Sequence, residues 1–77
     1  MSIVIDKEKY TALIPLIQTL SGFLGRKVQN TYTLKFSFES GFACLISNNT
    51  KNDKLSVHFE NQDKDEASYL TIMNAIS

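Results

Sequence analysis

Between Thr31 and Glu39 the side chains alternate strictly. Tyr32, Leu34, Phe36 and Phe38 are large and apolar, while Thr31, Thr33, Lys35, Ser37 and Glu39 are polar or charged. A period of two sends the two sets to opposite faces of an extended chain, so the stretch predicts a strand buried on one side. The connection after Phe38 sets the register. A two-residue turn at Ser40-Gly41 would place Phe42, Cys44 and Ile46 on the face of Lys35 and Ser37. A three-residue loop, Glu39-Ser40-Gly41, instead pairs Phe38 with Phe42, Phe36 with Cys44 and Leu34 with Ile46. A one-residue slip reverses every side chain of a strand, so burial favours the longer loop. Gly41 suits the left-handed position that ends such loops.

A polar segment, Ser47 to Asp53, is rich in turn formers and reads as a loop. Asn48-Asn49-Thr50 within it has the form of a glycosylation sequon and is read as part of that loop. A third strand comes next, with Leu55, Val57 and Phe59 alternating against Ser56, His58 and Glu60. Setting Leu55 against Ile46 puts Val57 beside Cys44 and Phe59 beside Phe42.

Both flanks predict helices. Asp6 is a good N-cap, Ile5 and Tyr10 have the spacing of a hydrophobic staple, and Glu8 falls in the first turn, where negative charge suits the helix dipole. Tyr10, Leu13, Ile14 and Ile17 recur at helical spacing, with Leu20 and Leu24 extending the stripe. Pro15 interrupts this pattern. One kinked helix from about residue 7 to 21 is preferred over two short helices, because the apolar face runs through the proline. Gly22 and Gly25 are candidate stops. Val28 to Asn30 lead into the sheet, and Ile3-Val4-Ile5 is either a short edge strand or a lead-in. At the other end, Asp63 and Glu66 have capping-box spacing. Tyr69, Ile72, Met73 and Ile76 then form an i, i+3, i+4, i+7 stripe, with Ala67 and Leu70 alongside.

The expected architecture is therefore one α+β domain over residues 1–77. Its order is α-β-β-β-α, with a three-stranded antiparallel meander and both helices packed on one face in two layers. A chain this short buries only about 60–65% of its unfolded surface, so its core must be well filled. The 43% apolar content, with five Phe and three Tyr, is enough to form a core. The single Cys, Cys44, rules out an internal disulfide, and with the single His, His58, it rules out a standard structural zinc set. No metal or cofactor is expected.

Eight basic and eight acidic residues cancel, which counts against nucleic acid as a partner. The ends differ: residues 1–30 carry Lys7, Lys9, Arg26 and Lys27 against Asp6 and Glu8, while residues 61–77 carry Lys64 against Asp63, Asp65 and Glu66. No run approaches the ~18–20 apolar residues of a membrane span. No basic stretch precedes the first apolar residues. The expected location is the cytoplasm, with no membrane partner.

Catalytic groups are scarce. Cys44 and His58 are the only nucleophile and base candidates, and the strand pattern sends them to opposite faces, beyond hydrogen-bond reach. Cys44 reads as a small core residue and His58 as an exposed strand residue. Asp63, Asp65 and Glu66 cluster where helix physics favours acids, and they are also a candidate acidic patch for a basic partner. Phosphate-binding glycine motifs and HExxH are absent from the sequence. A non-enzyme is expected.

Surfaces remain as the place to look for function. The face left open by the helices shows Lys35, Ala43, Leu45 and His58, with Leu45 and Ala43 as an apolar island among polar groups. These four are the candidate partner-binding residues of the sheet. An exposed edge strand can also accept another strand, giving a homodimer or a docked partner.

The order α-β-β-β-α resembles the double-stranded-RNA-binding domain. That resemblance implies phosphate contacts from the start of the last helix, here Asp63-Lys64-Asp65-Glu66-Ala67, with Lys64 in the gripping role. The family's Gly-Pro-x-His turn is replaced here by Glu39-Ser40-Gly41. In size, element order and lack of a catalytic set, the chain also resembles small phage-encoded inhibitors, including anti-CRISPR proteins, which occupy a surface of a larger complex. The expected function is a non-enzymatic protein-interaction module, an inhibitor or accessory subunit of such a complex. The alternative is a nucleic-acid-binding module using Arg26, Lys27, Lys35 and Lys64.

Overall fold

The computed structural model describes residues 2–48 and 54–77. The chain runs β1 (Ser2–Asp6), α1 (Lys7–Thr19), β2 (Phe23–Asn30), β3 (Thr33–Phe38), β4 (Ala43–Ser47), β5 (Lys54–Glu60), a 3-10 turn (Gln62–Lys64) and α2 (Glu66–Ile76). All strands pair antiparallel in one five-stranded sheet, ordered β1-β5-β4-β3-β2. The expected meander is its centre, β3-β4-β5. A further strand on each edge changes the order to β-α-β-β-β-β-α, which corrects the three-stranded, α-β-β-β-α expectation and removes the element-order likeness to the RNA-binding domain. Residues 49–53 of the polar segment, including Asn49 and Thr50 of the sequon, lie outside the described residues.

The β3-β4 hairpin forms as its sequence requires. Phe36 faces Cys44 and Leu34 faces Ile46. Gly41 has φ +96°, and the loop closes by Gly41 N donating to Phe38 O and Phe38 N donating to Phe42 O, each at 3.0 Å. The β4-β5 register differs from expectation by two residues: Val57 faces Ile46 and Phe59 faces Cys44. A two-residue shift keeps every side chain on its face, so alternation alone does not distinguish the two registers. The observed one stacks Phe59 beside Phe42, with ring centroids 6.0 Å apart.

One face of the sheet and both helices share a single core. Phe36, Phe38, Cys44, Ile46, Leu55, Val57 and Phe59 meet Leu13 and Ile17 of α1 and Ile72 and Ile76 of α2, all buried. Ile5 of β1, opposite Leu55, belongs to the same cluster. Helix α1 joins strands on opposite edges, so it must cross the sheet. It runs unbroken through Pro15, which is exposed. Lys9 Nζ donates to the carbonyl of Ile76, placing a cation where the end of α2 leaves carbonyls unpaired.

Two caps differ from expectation. Asp6 stands at the N-cap position of α1 without a capping hydrogen bond, because its carboxylate accepts from Lys54 Nζ on β5. Helix α2 is capped by Asp65, whose Oδ1 accepts from Ser68 N at 3.2 Å. Asp63 lies before it in the 3-10 turn.

Strand β2 occupies residues that the sequence divides between a helix stop and a lead-in to the sheet. Leu24 extends no helical stripe; it sits in β2 and is 63% exposed. Tyr32 does not begin β3. It belongs to the two-residue turn Thr31-Tyr32, where its N–H donates to Asn30 Oδ1 at 2.9 Å, and it is exposed.

Candidate functional site

Among the described residues, nothing covers the corner where α1 begins and the β2-β3 hairpin ends. Val28 pairs with Leu34 and so stands on the helix-bearing side of the sheet, yet it is 68% exposed. No helix reaches over it. The result is a groove of about 690 Å³ on that side. Leu34, Ile46 and Leu55 contribute from the sheet, Tyr10 from α1, and Val28 and Tyr32 from the hairpin. Lys7, Glu8, Thr11, Asn30, Thr31, Thr33 and Asn48 also line it. Its size falls in the usual range of ligand sites, about 300–1,000 Å³, and mostly apolar walls with a few polar groups are what such sites present.

The opposite face carries the residues that the sequence singled out. Leu45 lies between Lys35 and His58 in the ladder. His58 is exposed and Leu45 half-buried. Lys35 Nζ is 3.2 Å from Glu60 Oε1, an ion pair that crosses β4. Ala43, the small residue beside that crossing, is only 2% exposed. Thr33 and Ser47 join their hydroxyls at 2.8 Å. This face is thus largely engaged with itself, and Leu45 and His58 are its accessible candidates.

The four candidate cations are not gathered. Arg26 faces Phe36 and Lys27 faces Lys35, so Arg26 and Lys27 point to opposite sides of β2. Lys35 is held by Glu60. Lys64 lies by the β3-β4 loop, its Cδ 3.6 Å from where a Gly41 Cβ would stand. The acids divide as well. Asp65 is half-buried and used as a cap, whereas Asp63 and Glu66 are exposed and line a smaller depression with Gln62, Tyr69 and Leu70.

Cys44 is buried on the core side, and burial pushes its thiol up to about 12. His58 stands on the open face, so the two do not meet. Among the described residues, no cluster of three or more His, Cys, Asp or Glu is placed to hold a metal ion. No helix among them is long and apolar enough to cross a membrane.

Val28, Tyr32 and Tyr10 are not marked as functional by the sequence. Tyr32 is absorbed there into the alternation of β3, and Tyr10 into the stripe of α1. Val28 carries a local signal only in retrospect, as a lone β-branched residue between Lys27 and Gln29. Comparison with family models, curated proteins and solved structures finds no match to the chain.

Proposed function

We propose that this chain is a non-catalytic protein-interaction module, and that its groove between α1 and the β2-β3 hairpin receives an apolar-anchored segment of a partner protein. The observation that carries this reading is the exposure of Val28 at 68% and Tyr32 at 60% on the margin of an apolar groove. Large apolar side chains beside a concave surface are desolvated at little conformational cost when a partner fills it, and a Tyr loses few rotatable bonds in doing so. The groove is open to solvent rather than enclosed, and the edge strand β2 contributes Val28 and Asn30 to it, which suits an extended chain better than an enclosed small molecule. An inhibitor or accessory role in a larger complex is consistent with such a module.

The test is capture from the native host, followed by rebuilding of the interaction from purified components. Val28→Asp with Tyr32→Ser should remove binding of the captured protein while leaving the fold intact by circular dichroism. Leu45→Asp, on the open face, should keep it. The opposite pattern would move the contact to the sheet face. The nucleic-acid alternative is read in the same series by titrating duplex RNA and DNA against salt. A steep salt dependence would favour that alternative.

A further inference from the structure

The two edges of the sheet are not treated alike. Exposed edges are usually blunted by Lys, Pro, bulges or a covering element. Strand β2 has cations at its centre, Arg26 and Lys27, and register irregularities between Phe23 and Gly25 and between Val28 and Asn30. Among the described residues, strand β1 has none of these devices. Its core is Ile3-Val4-Ile5, and its pairing with β5 is continuous from Ser2 opposite His58 to Asp6 opposite Lys54. Its one charge, Asp6, stands at its end and is held by Lys54. Val4 is 62% exposed.

We infer that β1 is a self-association edge, through which two copies of this chain pair antiparallel about a two-fold axis at Val4. The axis stands perpendicular to the sheet and joins the two sheets into one continuous sheet. It puts Val4 opposite Val4 of the second copy and Ile3 opposite Ile5. Only residues of the same parity meet, so apolar side chains face apolar side chains on both faces and the helices of both copies stay on one side. The outward N–H and C=O groups of one β1 find those of the other. Centring the same operation on Arg26 or Lys27, in the middle of β2, sets like charges directly opposite. A five-residue strand makes a short interface, at or below the low end of the ~1,200–2,000 Å² of stable complexes, so association depends on concentration. This edge is separate from the groove, and the inference stands or falls without it.

Sedimentation over a concentration series tests it. The native chain should reach twice its 8.7 kDa mass. Val4→Lys and Val4→Glu each place like charges on the axis and should weaken association at least about tenfold. An equal mixture of the two should recover the dimer, because Lys then meets Glu. Gln29→Lys, in β2 and outside the groove, should leave the native dimer unchanged. Native protein that stays monomeric at millimolar concentration overturns the inference. So does a dimer that survives both Val4 variants, a mixture that stays monomeric, or a dimer lost with Gln29→Lys. Hydrogen exchange of the native chain reads the same edge without mutation. The β1 amides should become protected as concentration rises, and protection confined to β2 would contradict the pairing.

Discussion

Lys35 on β3 reaches past β4 to Glu60 on β5, with Nζ and Oε1 3.2 Å apart. The pair spans three strands of the open face and leaves Ala43 covered. Both side chains are about a third or more exposed, at 31% and 42%, so water screens much of their attraction. Lys35→Ala or Glu60→Gln should each cost less than about 1 kcal/mol in chemical denaturation, and less again in high salt. Ala43→Asp sets a carboxylate beneath the pair and directly opposite Glu60, and should cost more than either, on the order of 2 kcal/mol. Equal costs for all three would mean that Ala43 is not covered.

The two acids before α2 have different duties. Asp65 accepts from Ser68 N, so Asp65→Ala should destabilise the fold by about 1 kcal/mol through the lost cap. Asp63 makes no such bond, and Asp63→Ala should change the unfolding midpoint little. The reverse ranking would restore Asp63 as the cap that capping-box spacing implied.

Asp6 links the end of β1 to the start of β5. The hydrogen bond from Lys54, and then its charge, hold the carboxyl below its ordinary value of 3.8. A depressed folded-state pKa contributes stability that is present above the unfolded value and is lost as pH falls through the folded value. Thermal unfolding should therefore separate the native chain from Asp6→Asn above about pH 4, with the two curves converging as pH falls below that. A gap that grows on acidification would contradict the sign.

Cys44 should behave as a core residue. With its thiol pushed up to about 12 by burial, little thiolate is present near neutrality. Labelling by a thiol reagent should wait for the core to open, at a rate that follows global unfolding across a denaturant series. Rapid labelling of the folded chain would mean that β4 is accessible.

The centre of the fold was legible because burial imposes a period on it. Phe36 and Phe38 alternate with Lys35 and Ser37 since one side must leave water, and Gly41 marks the loop length that keeps Phe42 and Cys44 on that side. The β4-β5 register lay two residues away from the expected one because a period of two repeats itself at that distance. Strand β2 was hidden for a related reason. An edge strand exposed on both faces has no buried side to write a pattern, and Leu24, Arg26, Lys27 and Val28 show none. That Leu45 and His58 share the open face could be read from the strands alone; that they are neighbours could not, since the expected register sets His58 against Ala43. The groove could not, since it depends on where α1 crosses the sheet and on Tyr32 falling in a turn rather than at the start of β3.

The most direct measurement of the central claim is site-specific photo-cross-linking in the native host, with a photoreactive aromatic residue placed at Tyr32 in one protein and at Leu45 in another. The groove reading predicts a discrete protein adduct from position 32 that disappears when Val28→Asp is added, and none from position 45. An adduct from position 45 with none from position 32 would contradict it.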